Sequence, residues 1–203
     1  SILIGAGDGT FSAGSSYNST RDPMSITVED FDEDGYKDLA VTSWYYDEVD
    51  IYIGNGDGTF TASLSYNVGD EPISITEGDF NGDNHSDLAI ANSNDSDISV
   101  LMGAGDGTFS PAVNYNTGLW SSSDIIASDF DNDSITDLIA AHKDIWNVTV
   151  FPGNGDGTFI NVPTLYSNDY SESVTQGDFD EDGDVDGSDL STFAAELGRT
   201  DCP

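Results

Sequence analysis

Short runs of alternating apolar and polar residues recur along this chain. Ile73-Ser74-Ile75-Thr76 alternates, which predicts a strand with one buried face. Leu88-Ala89-Ile90-Ala91 predicts a second strand, short and largely apolar, and residues 98–102 predict a third. Gly103-Ala104-Gly105-Asp106-Gly107 follows. An Asp-Gly pair flanked by apolar runs predicts a hairpin, because the turn needs positive φ values. A fourth strand is expected over 109–115. Four short antiparallel strands in about 49 residues make one propeller blade.

The unit repeats. Asp-Phe-(Asp/Asn)-x-Asp-x-x-x-Asp starts at Asp30, Asp79, Asp129 and Asp178. Gly-(Ala/Asn)-Gly-Asp-Gly-Thr-Phe starts at Gly5, Gly54, Gly103 and Gly153. Every step is 49 or 50 residues, and such a period marks stacked supersecondary units. First strands fall near 24–28, 73–76, 123–127 and 171–176. Third and fourth strands also occur four times, the first pair at 2–4 and 11–17. Second strands occur three times, at 39–42, 88–91 and 138–141. After the last acidic word, Leu190, Phe193, Ala194 and Leu197 fall at helical spacing before Gly198. The predicted fold is all-β, a four-bladed β-propeller over 1–186, with a short C-terminal α-helix inside a loop, helix and tail spanning 178–203. The last blade lacks a middle strand. The N-terminal hairpin, residues 1–20, is expected to complete that blade or a neighbouring copy's, since unpaired edges invite strand addition.

Charge narrows the function. The formal net charge is -35, from 39 acidic against four basic side chains. Nucleic acid and anionic membranes are excluded as partners, because both need basic patches. No run approaches the roughly 20 apolar residues of a membrane span. The acids sit inside the repeated word, in register with apolar residues, which separates them from a solvating tail. Three or four carboxylates within nine residues repel each other strongly without a cation. Calcium, which takes six to eight oxygen ligands, is the expected cofactor, at three to four sites. No leader is visible, so the chain is expected to begin after a removed signal peptide. The single Cys202 cannot form an internal disulfide.

The words Asp-Phe-Asp-Glu-Asp-Gly-Tyr-Lys-Asp-Leu-Ala-Val, 30–41, and Gly-Asn-Gly-Asp-Gly-Thr-Phe, 54–60, resemble the FG-GAP/VCBS repeats of integrin-alpha-like propellers. The resemblance covers residues 1–186 in four copies. It implies calcium between strands one and two of each blade, an extracellular or cell-surface location, and adhesion more often than catalysis. It also implies ligands from side chains at loop positions 1, 3, 5 and 9 and from the carbonyl of position 7. In loop one these are Asp30, Asp32, Asp34, Tyr36 and Asp38; in loop two, Asp79, Asn81, Asp83, His85 and Asp87; in loop three, Asp129, Asp131, Asp133, Ile135 and Asp137. The fourth loop, Asp178, Asp180, Asp182, Asp184, Asp186 and Asp189, looks like half of a dockerin module with EF-hand-like spacing. Position 6 turns sharply and favours Gly, so Gly35 and Gly183 fit, Asn84 is tolerated and Ser134 fits worst. Sites two and three are therefore expected to be the weaker.

Strand parity places the acidic loops and Asp-Gly turns on one face and the remaining loops on the other. Those other loops carry Trp44, Tyr45, Tyr46, Trp120 and Trp146, all three tryptophans of the chain. Such aromatics stack on sugar rings, anchor protein contacts or cap the core. Glycosylation sequons stand at Asn18, Asn84, Asn94, Asn132 and Asn147. His85 and His142 have no nucleophile or base partner at a readable spacing, so no catalytic constellation emerges. The expected function is a non-enzymatic, extracellular calcium-binding propeller for adhesion or for surface or filament assembly. A carbohydrate-binding module using the aromatic loops, or an accessory domain of a polysaccharide-degrading enzyme, is the alternative.

Overall fold

The computed structural model describes residues 1–17, 22–143, 147–160 and 165–166. The chain opens with a hairpin of β1 (Leu3–Gly5) and β2 (Phe11–Ala13). Three four-stranded antiparallel meanders follow. The first holds β3 (Pro23–Glu29), β4 (Asp38–Ser43), β5 (Glu48–Gly54) and β6 (Phe60–Asn67). The second holds β7 (Pro72–Gly78), β8 (Asp87–Asn92), β9 (Asp97–Leu101) and β10 (Val113–Asn116). The third holds β11 (Ser122–Ser128), β12 (Asp137–His142), β13 (Asn147–Phe151) and β14 (Leu165–Tyr166). Among the described residues there is no helix; the C-terminal helix and the strand expected at 171–176 lie outside them. The fold is all-β and propeller-like.

The second strands explain why the sheets stack face to face. Side chains alternate across a strand. Leu88 and Ile90 of β8 point back into a core shared with Phe31, Ala40, Val49 and Ile51 of the first sheet. Ala89 and Ala91, on the other side of the same strand, join Leu138, Ala140 and Phe151 of the third. Both faces are buried, so every residue of β8 and of β12 is buried. Full burial of a Leu or Ile side chain is worth about 1.5–3 kcal/mol, so these two cores carry much of the stability.

A repeated tyrosine joins each outer strand to the next sheet. Tyr66 accepts the Phe109 amide at 2.9 Å through its hydroxyl, and the two rings meet edge to face at 5.7 Å. Tyr17 does the same to Phe60, at 2.7 Å and 5.9 Å. The N-terminal hairpin therefore sits against the first sheet as β6 sits against the second. It is placed like the outer half of a blade.

Its inner half has no counterpart among the described residues, and the burial pattern records this. Ile26, Ile75 and Ile125 are equivalent, yet Ile26 is 55% exposed against 7% and 2%. Phe11 is 68% exposed, whereas the equivalent Phe109 and Phe159 are buried. Beside β3 runs a groove of about 260 Å³ lined by Ile2, Tyr17, Met24, Ile26, Leu39 and Tyr52.

One expected strand differs. Pairing over 109–115 is interrupted: Phe109 bridges Gly103, and β10 resumes only at Val113. Pro111 lies between and has no amide hydrogen to donate.

His142 closes β12 and is fully buried, with Nε2 3.0 Å from the Thr149 hydroxyl. Burial pushes its pKa down from 6.5 to about 4. The unfolded chain therefore takes up the proton first, and stability is lost as pH falls from about 6.5 through about 4. The loss reaches at most about 3 kcal/mol. The second repeat carries Asn92 at this position, which points to the control. Comparing melting temperatures at pH 7 and pH 4.5, His142→Asn should remove this part of the acid sensitivity.

Candidate metal centre

Each of the three described acidic loops is coiled by its own carboxylates. Asp30 accepts the Asp34 amide at 3.1 Å and the Gly35 amide at 2.9 Å; Asp34 accepts that of Tyr36 at 2.8 Å. Loop three repeats this with Asp129, Ser134, Asp133 and Ile135. In loop two Asp79 accepts from Gly82 and Asn84, and Asp83 from His85. Position 6 has positive φ throughout, at 90° for Gly35, 66° for Asn84 and 68° for Ser134. Position 4 does too, at 57° for Glu33, 76° for Gly82 and 65° for Asn132. Glu, Gly and Asn at position 4 vary too widely for a linear pattern to signal it.

The coiling brings carboxylates together. Ligand atoms of Asp30, Asp32 and Asp38 lie within 4.8 Å of one another, as do those of Asp129, Asp131 and Asp137. In loop two the third position is Asn81, whose amide nitrogen donates to Asp83 at 3.0 Å.

The position-9 aspartates do a second task. Asp38 is fully buried and accepts the Phe31 amide at 2.8 Å and the Gly54 amide at 2.7 Å. Asp87 holds Phe80 and Gly103, and Asp137 holds Phe130 and Gly153, all at 2.8–2.9 Å. This one side chain ties the acidic word to the glycine word of its own blade. Position 7 adds packing. A Cβ on Gly56 would lie 2.3 Å from the Tyr36 ring, and one on Gly105 would lie 2.4 Å from His85. The two words keep a fixed spacing because they touch.

Burial pushes Asp87 up to about 6, with Asp83 and Asp79 adding to the rise, and its two amide hydrogen bonds offset this only in part. Burial also raises Asp32 and Asp137, again helped by neighbouring carboxylates. A cation among these oxygens reverses that penalty. The donor set is all oxygen, which suits a hard ion such as calcium rather than zinc or copper. The residues fit. Loops one and three would hold the ion through their clustered aspartates, and loop two through Asp79, Asn81, Asp83 and Asp87. The fourth loop, Asp178 to Asp189, lies outside the described residues.

The opposite face is assembled as the parity argument requires. Val68 donates to the Asp47 carbonyl at 2.8 Å, and Ser121 to that of Ser93 at 3.2 Å. Tyr45 and Tyr46 are exposed and meet edge to face at 5.3 Å; Trp120 is 69% exposed on a different loop, and Trp44 is half-buried. Trp146 lies outside the described residues. Of the sequons, Asn84, Asn94 and Asn132 are exposed, and Asn18 lies outside the described residues. Asn147 is a correction. It begins β13 and is 4% exposed, so the folded chain has no room for a glycan there.

Substitutions separate staple from ligand. Asp38→Ala leaves two buried amides unpaired and should cost about 2–5 kcal/mol even in EDTA. Asp34→Ala touches only exposed groups and should destabilise chiefly when calcium is present. Denaturant titrations with and without EDTA read the difference. Ser134→Gly should stabilise by about 1 kcal/mol and tighten site three, because Gly tolerates the left-handed conformation.

The comparisons with known proteins agree on the fold. The structure of a putative 6-phosphogluconolactonase from Bacteroides uniformis is similar, with 16% identity and a TM-score of 0.67, over 87% of this chain and 53% of that one. An Agrocybe aegerita lectin that recognises non-reducing terminal N-acetylglucosamine has 20% identity and a TM-score of 0.53, over 81% and 46%. BBS1N in its complex with ARL6DN has 14% identity and a TM-score of 0.53, over 79% and 48%. The chain spans about half the length of these structures. No curated protein matches it. The family model for the FG-GAP-like repeat matches residues 30–90, 79–140 and 129–186. With three consecutive matches over most of its length, this chain belongs to the FG-GAP-like repeat family.

Proposed function

We propose that this chain is a non-catalytic, calcium-stabilised propeller of four blades that works outside the cell in adhesion or in surface or filament assembly. The observation that carries the reading is the buried position-9 aspartate, Asp38 in loop one and Asp137 in loop three, which is shared between a carboxylate cluster and the neighbouring turn. A cation there stabilises two segments at once. A second copy of the chain is the favoured partner. The apolar groove beside β3 matches positions that are buried between sheets elsewhere, and the half-blade hairpin borders it.

Carbohydrate binding is the second reading. Exposed Tyr45, Tyr46 and Trp120 favour it, and a lectin shares the fold. Loss of glycan binding in Trp120→Ala would select it. An accessory role beside a polysaccharide-degrading enzyme is the third, and turnover of a polysaccharide by this chain alone would overturn the non-catalytic assignment.

Calcium bound only by the folded chain stabilises it by about 2.7 kcal/mol per site at a hundredfold excess over the dissociation constant. Melting curves in millimolar calcium should lie well above those in EDTA; coincident curves would remove the calcium reading. Light scattering in calcium tests assembly. Ile26→Glu places a charge on an exposed groove position and should reduce association without lowering the melting temperature.

A further inference from the structure

The acidic loops of neighbouring blades are joined through a shared turn. The Gly107 amide of the second blade's turn donates to the Phe31 carbonyl of loop one at 2.9 Å. A Cβ on Gly107 would lie 3.4 Å from that of Asp32. Loop two holds the other side of the same turn. Its Asp87 accepts the Gly103 amide at 2.8 Å, and the His85 ring packs on Gly105. Glu33 of loop one also reaches across to His85 of loop two, with Oε1 2.5 Å from Nδ1.

The next pair of blades repeats the arrangement with different side chains. Gly157 donates to the Phe80 carbonyl of loop two at 3.0 Å, and its Cβ position lies 3.5 Å from that of Asn81. Asp137 of loop three accepts the Gly153 amide at 2.9 Å, and Ile135 packs on Gly155. Each turn thus lies between the loop of its own blade and the loop of the blade before.

Ordering one loop fixes the groups that hold the turn, and the turn fixes groups in the next loop. An ion bound first therefore lowers the ordering cost met by an ion bound second. Electrostatics works the other way, since a bound cation repels the next. The sign of the coupling distinguishes the two effects.

Resting on the calcium reading above, we propose that loops one, two and three load calcium as a positively coupled series. The Asp-Gly turns at 103–109 and 153–159 transmit occupancy from blade to blade, and the Glu33–His85 contact adds a direct link between loops one and two.

Calcium titration calorimetry on the full chain, with hydrogen exchange at Gly103 and Gly107, tests this. The wild type should titrate with a Hill coefficient above 1. Asp34→Asn should empty loop one and weaken calcium at loop two by about fivefold or more. It leaves loop one more negative than the loaded wild-type loop, so electrostatics alone predicts tighter binding at loop two. Unchanged or tighter binding there would overturn the proposal. Glu33→Gln keeps every ligand of both loops and serves where Asp34→Asn folds poorly. It should lower the Hill coefficient part of the way towards 1 while the same number of ions bind, since the turns still couple the loops; an unchanged coefficient would remove the direct link. A non-cooperative wild type that still binds calcium would sink the coupling and leave the calcium reading standing. No binding at all would remove both.

Discussion

One buried carboxylate in each of the three described four-stranded sheets holds together what the rest of the structure needs. Asp38, Asp87 and Asp137 each accept two backbone amides, one from the start of the acidic loop and one from the start of the glycine turn. Without that bridge only the docking of the position-7 side chain would join the loop between strands one and two to the loop between strands three and four. With it, the lower face of each blade is a single unit. A buried carboxylate surrounded by others is costly, and the raised pKa of Asp87 records that cost. A cation among the same oxygens is the direct remedy, so the fold's main polar staple and its candidate metal centre are one feature.

Much of this could be read in the sequence. The repeated words, their period and the strand alternation give three complete blades and the placement of the acidic loops. Parity alone puts the Asp-Gly turns beside those loops, and the amides of Gly54, Gly103 and Gly153 confirm it. Apolar second strands such as Leu88-Ala89-Ile90-Ala91 mark burial on both faces, and the core clusters divide their side chains accordingly.

Other features depend on contacts that a linear pattern does not carry. The double duty of position 9 is invisible, because an aspartate that ligates and one that caps amides look alike. Ile26 and Ile75 have the same local pattern, yet among the described residues only Ile75 has a preceding four-stranded sheet to cover it. Asn147 reads as a surface sequon, but it begins a strand in the core of the third sheet. The glycines of the turns read as a requirement for positive φ. Gly56 and Gly105 also make room for the Tyr36 and His85 side chains that dock on them.

The family's acidic word thus appears here as a joint between two loops that a cation would complete. The most direct test is the number of calcium ions carried by the native chain, counted by native mass spectrometry after exchange into calcium-containing buffer and again after EDTA. The account predicts three to four ions per chain, lost on chelation. A chain that carries none, in a buffer where it remains folded, would contradict it.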